Sequence, residues 1–306
     1  MPKIVKYIGY FFLFIFLFFF FLYWTFPYHI LKDRLISATQ QQLGGDYDIK
    51  IDDFSPSFFT GAVLKDVKII KHENNVTSNV LEATKVKIRT TISSLLFGNT
   101  NVRFTIKNEK GSASGNFKGN EDGFLFNGDF SDFDVGNLGF ISGTAEGGTR
   151  LVSEIDGDVK LNINKRQIIQ STGSASFTIS DLRLKPGELK LGEGMDFNIP
   201  ELILAKGGKS TIKLELLKGA IKVKEFKFSD SDFIVDLSGD IFMSSILKNY
   251  RMNLKGSFSV TPKVEQAIPF LFMVEKQRQP DGTYPITITG RISQPSIKIG
   301  DFTLPI

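Results

Sequence analysis

Residues 84–90 read Thr-Lys-Val-Lys-Ile-Arg-Thr, and this alternation decides the fold. In an extended chain Val86 and Ile88 fall on one side, Lys85, Lys87 and Arg89 on the other. One dry face and one wet face mark an antiparallel sheet, because parallel strands are covered on both faces and lose the alternation. The same period recurs in both directions along the chain. Tyr47, Ile49 and Ile51 alternate with Asp48 and Lys50, and Val102, Phe104 and Ile106 follow suit. Val159, Leu161 and Ile163, then Ala175, Phe177 and Ile179, repeat it. Ile212, Leu214 and Leu216 alternate with Thr211, Lys213 and Glu215. Phe233, Val235 and Leu237, then Tyr250, Met252 and Leu254, and finally Ile286, Ile288 and Ile292 complete the series.

Turn residues punctuate these runs. Lys206-Gly207-Gly208-Lys209 reads as a hairpin, and Asn120 to Gly123 and Gln279 to Gly282 are similar. No long helical pattern lies between strands, which excludes parallel βαβ units. Two short helical patches are expected, at 93–97 and at 262–275. The second begins at Pro262 with Thr261 as N-cap, and Pro269 should break or kink it. Its apolar cluster Ile268, Phe270, Leu271, Phe272 and Met273 is suited to plugging one end of a sheet. The expected fold is mainly β: an N-terminal transmembrane helix followed by an elongated, curled antiparallel β-sheet with a few short helices. Alternation places Val86, Ile88, Phe104, Ile212, Leu214, Val235 and Leu254 on dry faces. It leaves open whether those faces meet another sheet, close a barrel or line a groove.

Membrane attachment is expected from residues 8–26, IGYFFLFIFLFFFFLYWTF, which carry no charge. At 1.5 Å per residue, about 19 residues span roughly the 30 Å of a bilayer core. Phe11, Phe14, Phe16, Phe18 and Phe20 form its body, and Trp24 sits at its far end, where amphipathic rings prefer the headgroups. The bulky stretch WTFPYHIL follows instead of a small-residue cleavage site, so the segment reads as an uncleaved anchor. Lys3 and Lys6 precede it without any acid, whereas Asp33 accompanies Lys32 and Arg34 beyond it. This bias orients the N-terminus to the cytoplasm of a bacterial inner membrane. The domain plan is a cytoplasmic tail (1–7), a transmembrane helix (8–26), a juxtamembrane amphipathic helix (27–44) and a periplasmic β-rich domain (45–306). Pro27 opens the amphipathic helix, Ile30, Leu31, Leu35 and Ala38 recur at helical spacing, and Gly44-Gly45 stops it.

The sequence offers no recognisable reaction centre. The 306 residues contain no cysteine and two histidines, His29 and His72, far apart in sequence. That excludes disulfides and thiolate zinc sites. Gly207 to Ser210 (GGKS) lacks the leading glycine of a phosphate loop, since Ile203 stands there. Asp230, Asp232, Asp236 and Asp240 lack the glycine and terminal glutamate of a calcium loop and read as turn aspartates. GSASG at 111–115 has alanine where a nucleophile elbow needs serine. The net charge of +4 is spread along the strands instead of gathered in a basic block, so nucleic acid is not an expected partner. No catalytic, cofactor-binding or metal-ligating residue is expected, and the chain reads as non-enzymatic.

Several fragments, in order, resemble one family. Thr25-Phe26-Pro27-Tyr28 directly follows the apolar run, and Phe59-Thr60-Gly61 leads to Leu64, Asp66, Val67 and Ile69. SSLLFGNTNVRFTI comes next, and DGTYPITITGRISQPSIKI stands near the end. This order is similar to the N component of type II secretion systems (GspN), in its delta-proteobacterial and spirochaete form, related to the AsmA-like superfamily. Ile292 stands where leucine is usual. The resemblance implies a single-pass inner-membrane protein with an elongated periplasmic β-structure, an accessory that binds other envelope or secretion components. AsmA-like relatives imply instead a groove for lipid acyl chains and a role in outer-membrane biogenesis.

Overall fold

The computed structural model describes residues 47–57, 60–73, 76–91, 100–135, 151–190, 196–244, 246, 249–267 and 269–304, with 10–14, 16, 17, 20, 21, 30, 32, 33, 36, 37 and 40 nearer the N-terminus. The strands are β1 (Tyr47–Ser57), β2 (Gly61–Glu73), β3 (Val76–Thr90), β4 (Thr100–Lys107), β5 (Ser112–Gly119) and β6 (Gly123–Phe133). Then come β7 (Leu151–Asn164), β8 (Thr172–Leu184), β9 (Gly187–Lys190), β10 (Asp196–Ile199), β11 (Leu202–Leu217) and β12 (Ala220–Phe228). The last are β13 (Phe233–Phe242), β14 (Arg251–Val260), β15 (Tyr284–Arg291), β16 (Gln294–Ile299) and β17 (Phe302–Thr303). Helix α1 (Pro262–Ala267) and a 3₁₀ segment (Pro269–Gln277) join β14 to β15.

Fifteen of these strands make one curled antiparallel sheet in chain order, with β9 and β10 set aside as a separate hairpin between β8 and β11. Its edges, β1 and β17, do not pair with each other, so the sheet stays open and is not a barrel. Edge strand β1 carries Asp48, Lys50, Asp52, Asp53 and Pro56, which discourage another strand from adding there. The wet face is laced with cross-strand ion pairs, among them Lys68–Glu82 and Lys213–Glu225, both 2.7 Å.

Simple up-and-down topology sends alternate turns to opposite ends. At one end α1 and the 3₁₀ segment fold back onto the dry face. Val264, Leu271 and Val274 there are buried against Val235, Leu237, Phe258, Tyr284 and Ile299. A second core lies under β1–β3, where Ile49, Ile51, Leu64, Val67, Ala83 and Val86 pack together with Ile36 against them. Each fully buried side chain of this size stabilises by about 1.5–3 kcal/mol, so these two clusters anchor the sheet.

Several sequence expectations need correction. Lys206 to Lys209 is not a hairpin: β11 continues through it and pairs with β8 on both sides. Gly207 (φ 73°) and Gly208 (φ 70°) instead form a bulge in which Lys206 and Ser210 oppose Asp181 and Ile179. A double glycine supplies left-handed backbone for a bulge as readily as for a turn. Pro269 does end α1, but Phe272 (72 % exposed) and Met273 point outward, and Val264, Leu271 and Val274 do the plugging. Thr261 does stand at the N-cap of α1, its carbonyl accepting from the Val264 and Glu265 N–H groups at 2.9 and 3.1 Å, while its hydroxyl donates to Asp232 Oδ1 at 3.3 Å. Residues 93–97 lie outside the described residues.

In the N-terminal stretch, residues 10–14, 16, 17, 20 and 21 are helical, and Phe11, Phe14, Phe16 and Phe20 are exposed. Phe18 and Trp24 lie outside the described residues. No helix among the described residues is long and apolar enough to cross a membrane.

Candidate functional site

The candidate site is the dry face between the two cores. Registers trace it continuously across the sheet. Ile88 stands opposite Phe104, which is opposite Gly115, which is opposite Gly128, which is opposite Val159. One row over, Val102, Phe117, Phe126, Leu161, Gly173 and Leu216 succeed one another on β4 to β8 and β11. A further row runs Phe130, Gly157, Phe177 and Ile212.

Glycines under these rows let the rings lie down. A Cβ on Gly115 would fall 2.6 Å from Phe104 Cζ, and one on Gly128 3.0 Å from Phe126 Cζ. With the glycines empty, Phe104 and Phe126 stack with centroids 6.2 Å apart and planes 15° apart. Phe117 and Phe124 stack at 5.3 Å, and Phe130 meets Phe177 edge-on at 5.7 Å. The result is a low, continuous apolar floor. Phe104, Phe117, Phe124, Phe126, Phe130 and Phe177 are each half-buried, and no described element packs broadly over them.

All seven residues expected to line a groove sit on this face. Val86 and Val235 are buried, in the core under β1–β3 and in the core at the α1 end. Ile88 packs against the core under β1–β3, Ile212 packs against a third buried cluster of Ile179, Leu182 and Ala205, and Phe104, Leu214 and Leu254 are half-buried on the same face. Sequence reading missed Phe117, Phe124, Phe126 and Phe130 as part of it. The signal was present in GFLFNGDF, where Phe124, Phe126, Gly128 and Phe130 share one side.

The polar candidates serve structure. Asp232 knots three elements at the plugged end. Its Oδ2 accepts from the Ile203 N–H at 2.9 Å and lies 3.4 Å from Lys263 Nζ, while its own main chain bonds Ile203 and Thr261. Burial pushes its carboxyl up, but the Ile203 N–H, Lys263 and Thr261 together outweigh burial and hold it below the usual value. Asp230 pairs with Lys209 at 2.5 Å, and Asp236 and Asp240 lie on β13. His72 is exposed on β2, whereas His29 lies outside the described residues. Among the described residues no group of acids and histidines is arranged to hold a metal ion.

These features define an open antiparallel sheet with an apolar, phenylalanine-floored face, plugged at one end. Compared with protein-family models, curated proteins and solved structures, the chain matches none of them.

Proposed function

We propose that this is a membrane-anchored, non-enzymatic protein of the bacterial envelope whose phenylalanine floor receives lipid acyl chains. One observation carries the reading: six half-buried phenylalanines share a sheet face that no described element covers broadly. A continuous apolar surface of this kind marks a ligand groove or an interaction site far more often than a free surface. Acyl chains suit it because the floor is long, apolar and free of fixed polar partners that would select a compact ligand.

The anchor belongs to the same proposal. Exposed Phe11, Phe14, Phe16 and Phe20 on helical backbone are costly in water and at home in lipid. The β-sheet then lies in the periplasm. A second reading, as an accessory of type II secretion, is favoured by the order of the TFPY, FTG, LKDV and DGTY fragments. On that reading the floor binds another envelope component.

Native mass spectrometry on the full chain, extracted gently from membranes, tests the first reading. Co-purifying lipid is the expected result. A lipid-free chain that also fails to take up a neutral fluorescent acyl probe would overturn it. Gene neighbours from a secretion operon would favour the second.

A further inference from the structure

Alternate turns of the sheet lie at opposite ends of its strands, and the two ends differ in chemistry. At the end away from α1 the turns of the C-terminal half are 164–172 (β7–β8), 217–220 (β11–β12), 242–251 (β13–β14) and 291–294 (β15–β16). Each holds at least one exposed large apolar side chain: Ile169 (63 % exposed), Leu217, Phe242 with Ile246 (58 % exposed), and Ile292. Together these four turns contain six cations, Lys165, Arg166, Lys218, Lys248, Arg251 and Arg291, and no acid. Arg166 is answered from the neighbouring β5–β6 turn, by Asp122 at 2.5 Å.

The turns adjoin one another as a rim. A Cβ on Gly219 would lie 3.5 Å from Ile169 Cα. The Met243 N–H donates to the Gly219 carbonyl at 2.9 Å, and the Ile292 N–H donates to the Tyr250 carbonyl at 2.9 Å. The opposite end is built differently. Its turns 228–233 and 299–302 carry Asp230, Asp232 and Asp301 and no cation. Their apolar residues Phe228, Phe233, Ile299 and Phe302 pack into the core at the α1 end. The exposed apolar residues Ile234, Phe272 and Met273 belong to a strand and to the 3₁₀ segment, not to hairpin tips.

Single exposed apolar residues are ordinary on any protein surface. Here they are gathered on adjoining tips, and cations without acids stand among them. That combination fits the interfacial zone of an anionic bilayer. Apolar tips reach the acyl boundary, while long lysine and arginine side chains keep their charge among the headgroups. A protein partner fits less well, because the centres of protein interfaces are depleted in lysine and this rim sets lysines beside its apolar tips.

We propose that this rim docks on the surface of an anionic lipid bilayer, with Ile169, Leu217, Phe242, Ile246 and Ile292 entering it. The proposal uses strand tips and not the dry face, so it stands or falls apart from the acyl-chain reading.

The chain has no cysteine, so a single one can be placed for labelling without removing others. The full chain, held in a non-ionic amphipol, carries an environment-sensitive fluorophore at Ile169→Cys, Ile246→Cys or, on the opposite end, Asp301→Cys; all three positions are exposed. Each is mixed with phosphatidylcholine vesicles with and without phosphatidylglycerol, some bearing a quencher on the acyl chain. Because the N-terminal apolar run can itself enter vesicles, contact is read at the label and not by co-flotation. The labels at 169 and 246 should shift to the blue and be quenched on phosphatidylglycerol vesicles, with apparent affinity about tenfold or more above that for phosphatidylcholine alone, since each cation near an anionic surface adds attraction. The label at 301 should not respond. In the Ile246→Cys background, K165Q/R251Q/R291Q should lose the preference for phosphatidylglycerol, and these exposed positions leave the fold intact. Silent labels at 169 and 246 would overturn the proposal and leave the rim to a protein partner. An equal response at 301, equal affinity for the two vesicle types, or an unchanged preference in the triple variant would overturn it as well.

Discussion

Asp232 and Gly115 illustrate how single residues set this structure. The Asp232 carboxylate holds the start of β11 and the Lys263 side chain of α1 to the start of β13, and its side chain is only 15 % exposed. Asp232→Asn removes the charge but keeps the shape, and should cost about 1–3 kcal/mol at neutral pH, read by chemical denaturation followed by circular dichroism. The sign of its pH dependence follows from its lowered carboxyl. Unfolded, the group titrates near 3.8; folded, it titrates lower. Its stabilisation is therefore complete above the unfolded value and fades as pH falls through the folded one. The gap between wild type and Asp232→Asn should shrink over that acidic window; a gap independent of pH would show that the charge is irrelevant. Gly115 acts through space, not charge. Its missing Cβ leaves room for the Phe104 ring, and the Asn127 carbonyl would also stand 2.9 Å away. Gly115→Ala should destabilise by about 1–3 kcal/mol as an overpacked site, checked by the same denaturation experiment.

At the scale of elements, most strands were legible because period-2 alternation survives wherever one face stays wet. The plug was legible in part. Thr261-Pro262 and Pro269 marked where α1 starts and stops, but not which side of the following 3₁₀ segment faces the sheet. In a 3₁₀ helix positions three apart share a face, and Leu271 and Val274 keep that spacing, whereas Phe272 and Met273 fall off it. Apolarity alone had ranked all of them together. Leu271→Ala should therefore cost about 2–5 kcal/mol, while Phe272→Ala should stay within about 0.5 kcal/mol, a contrast that thermal melts of the two variants can read. The double-glycine bulge of β11 escaped reading for a related reason: the chain signal for left-handed backbone is the same in a bulge and a turn, and only pairing with β8 distinguishes them. For the anchor, arginines at Phe16 and Phe18 should abolish membrane insertion, since each mid-span charge costs on the order of 3 kcal/mol; carbonate extraction of membranes checks it, and a variant that stays in the pellet would count against the anchor.

For the whole molecule, the sequence identified the face but not what covers it. Alternation is blind to the third dimension: a dry side chain reads the same whether a second sheet, a helix or a ligand lies over it. Topology decides: among the described residues an open sheet has its own curl and, at one end, α1 and the 3₁₀ segment to cover its dry face, and the middle is left to the phenylalanines. That division predicts two kinds of aspartate variant. Val235 is buried in the core at the α1 end, so Val235→Asp strands an unpaired charge there at a cost of several kcal/mol and should unfold the sheet. Phe126 is half-buried on the uncovered floor, stacked on Phe104, so the charge of Phe126→Asp can reach water. That variant should keep its β circular dichroism, melt cooperatively, and lose uptake of the neutral acyl probe by about tenfold, the loss expected when roughly 1.4 kcal/mol of apolar contact is removed. If Phe126→Asp unfolds as Val235→Asp does, the floor is core and needs no ligand. If it folds and binds the probe as wild type does, the acyl chain lies elsewhere.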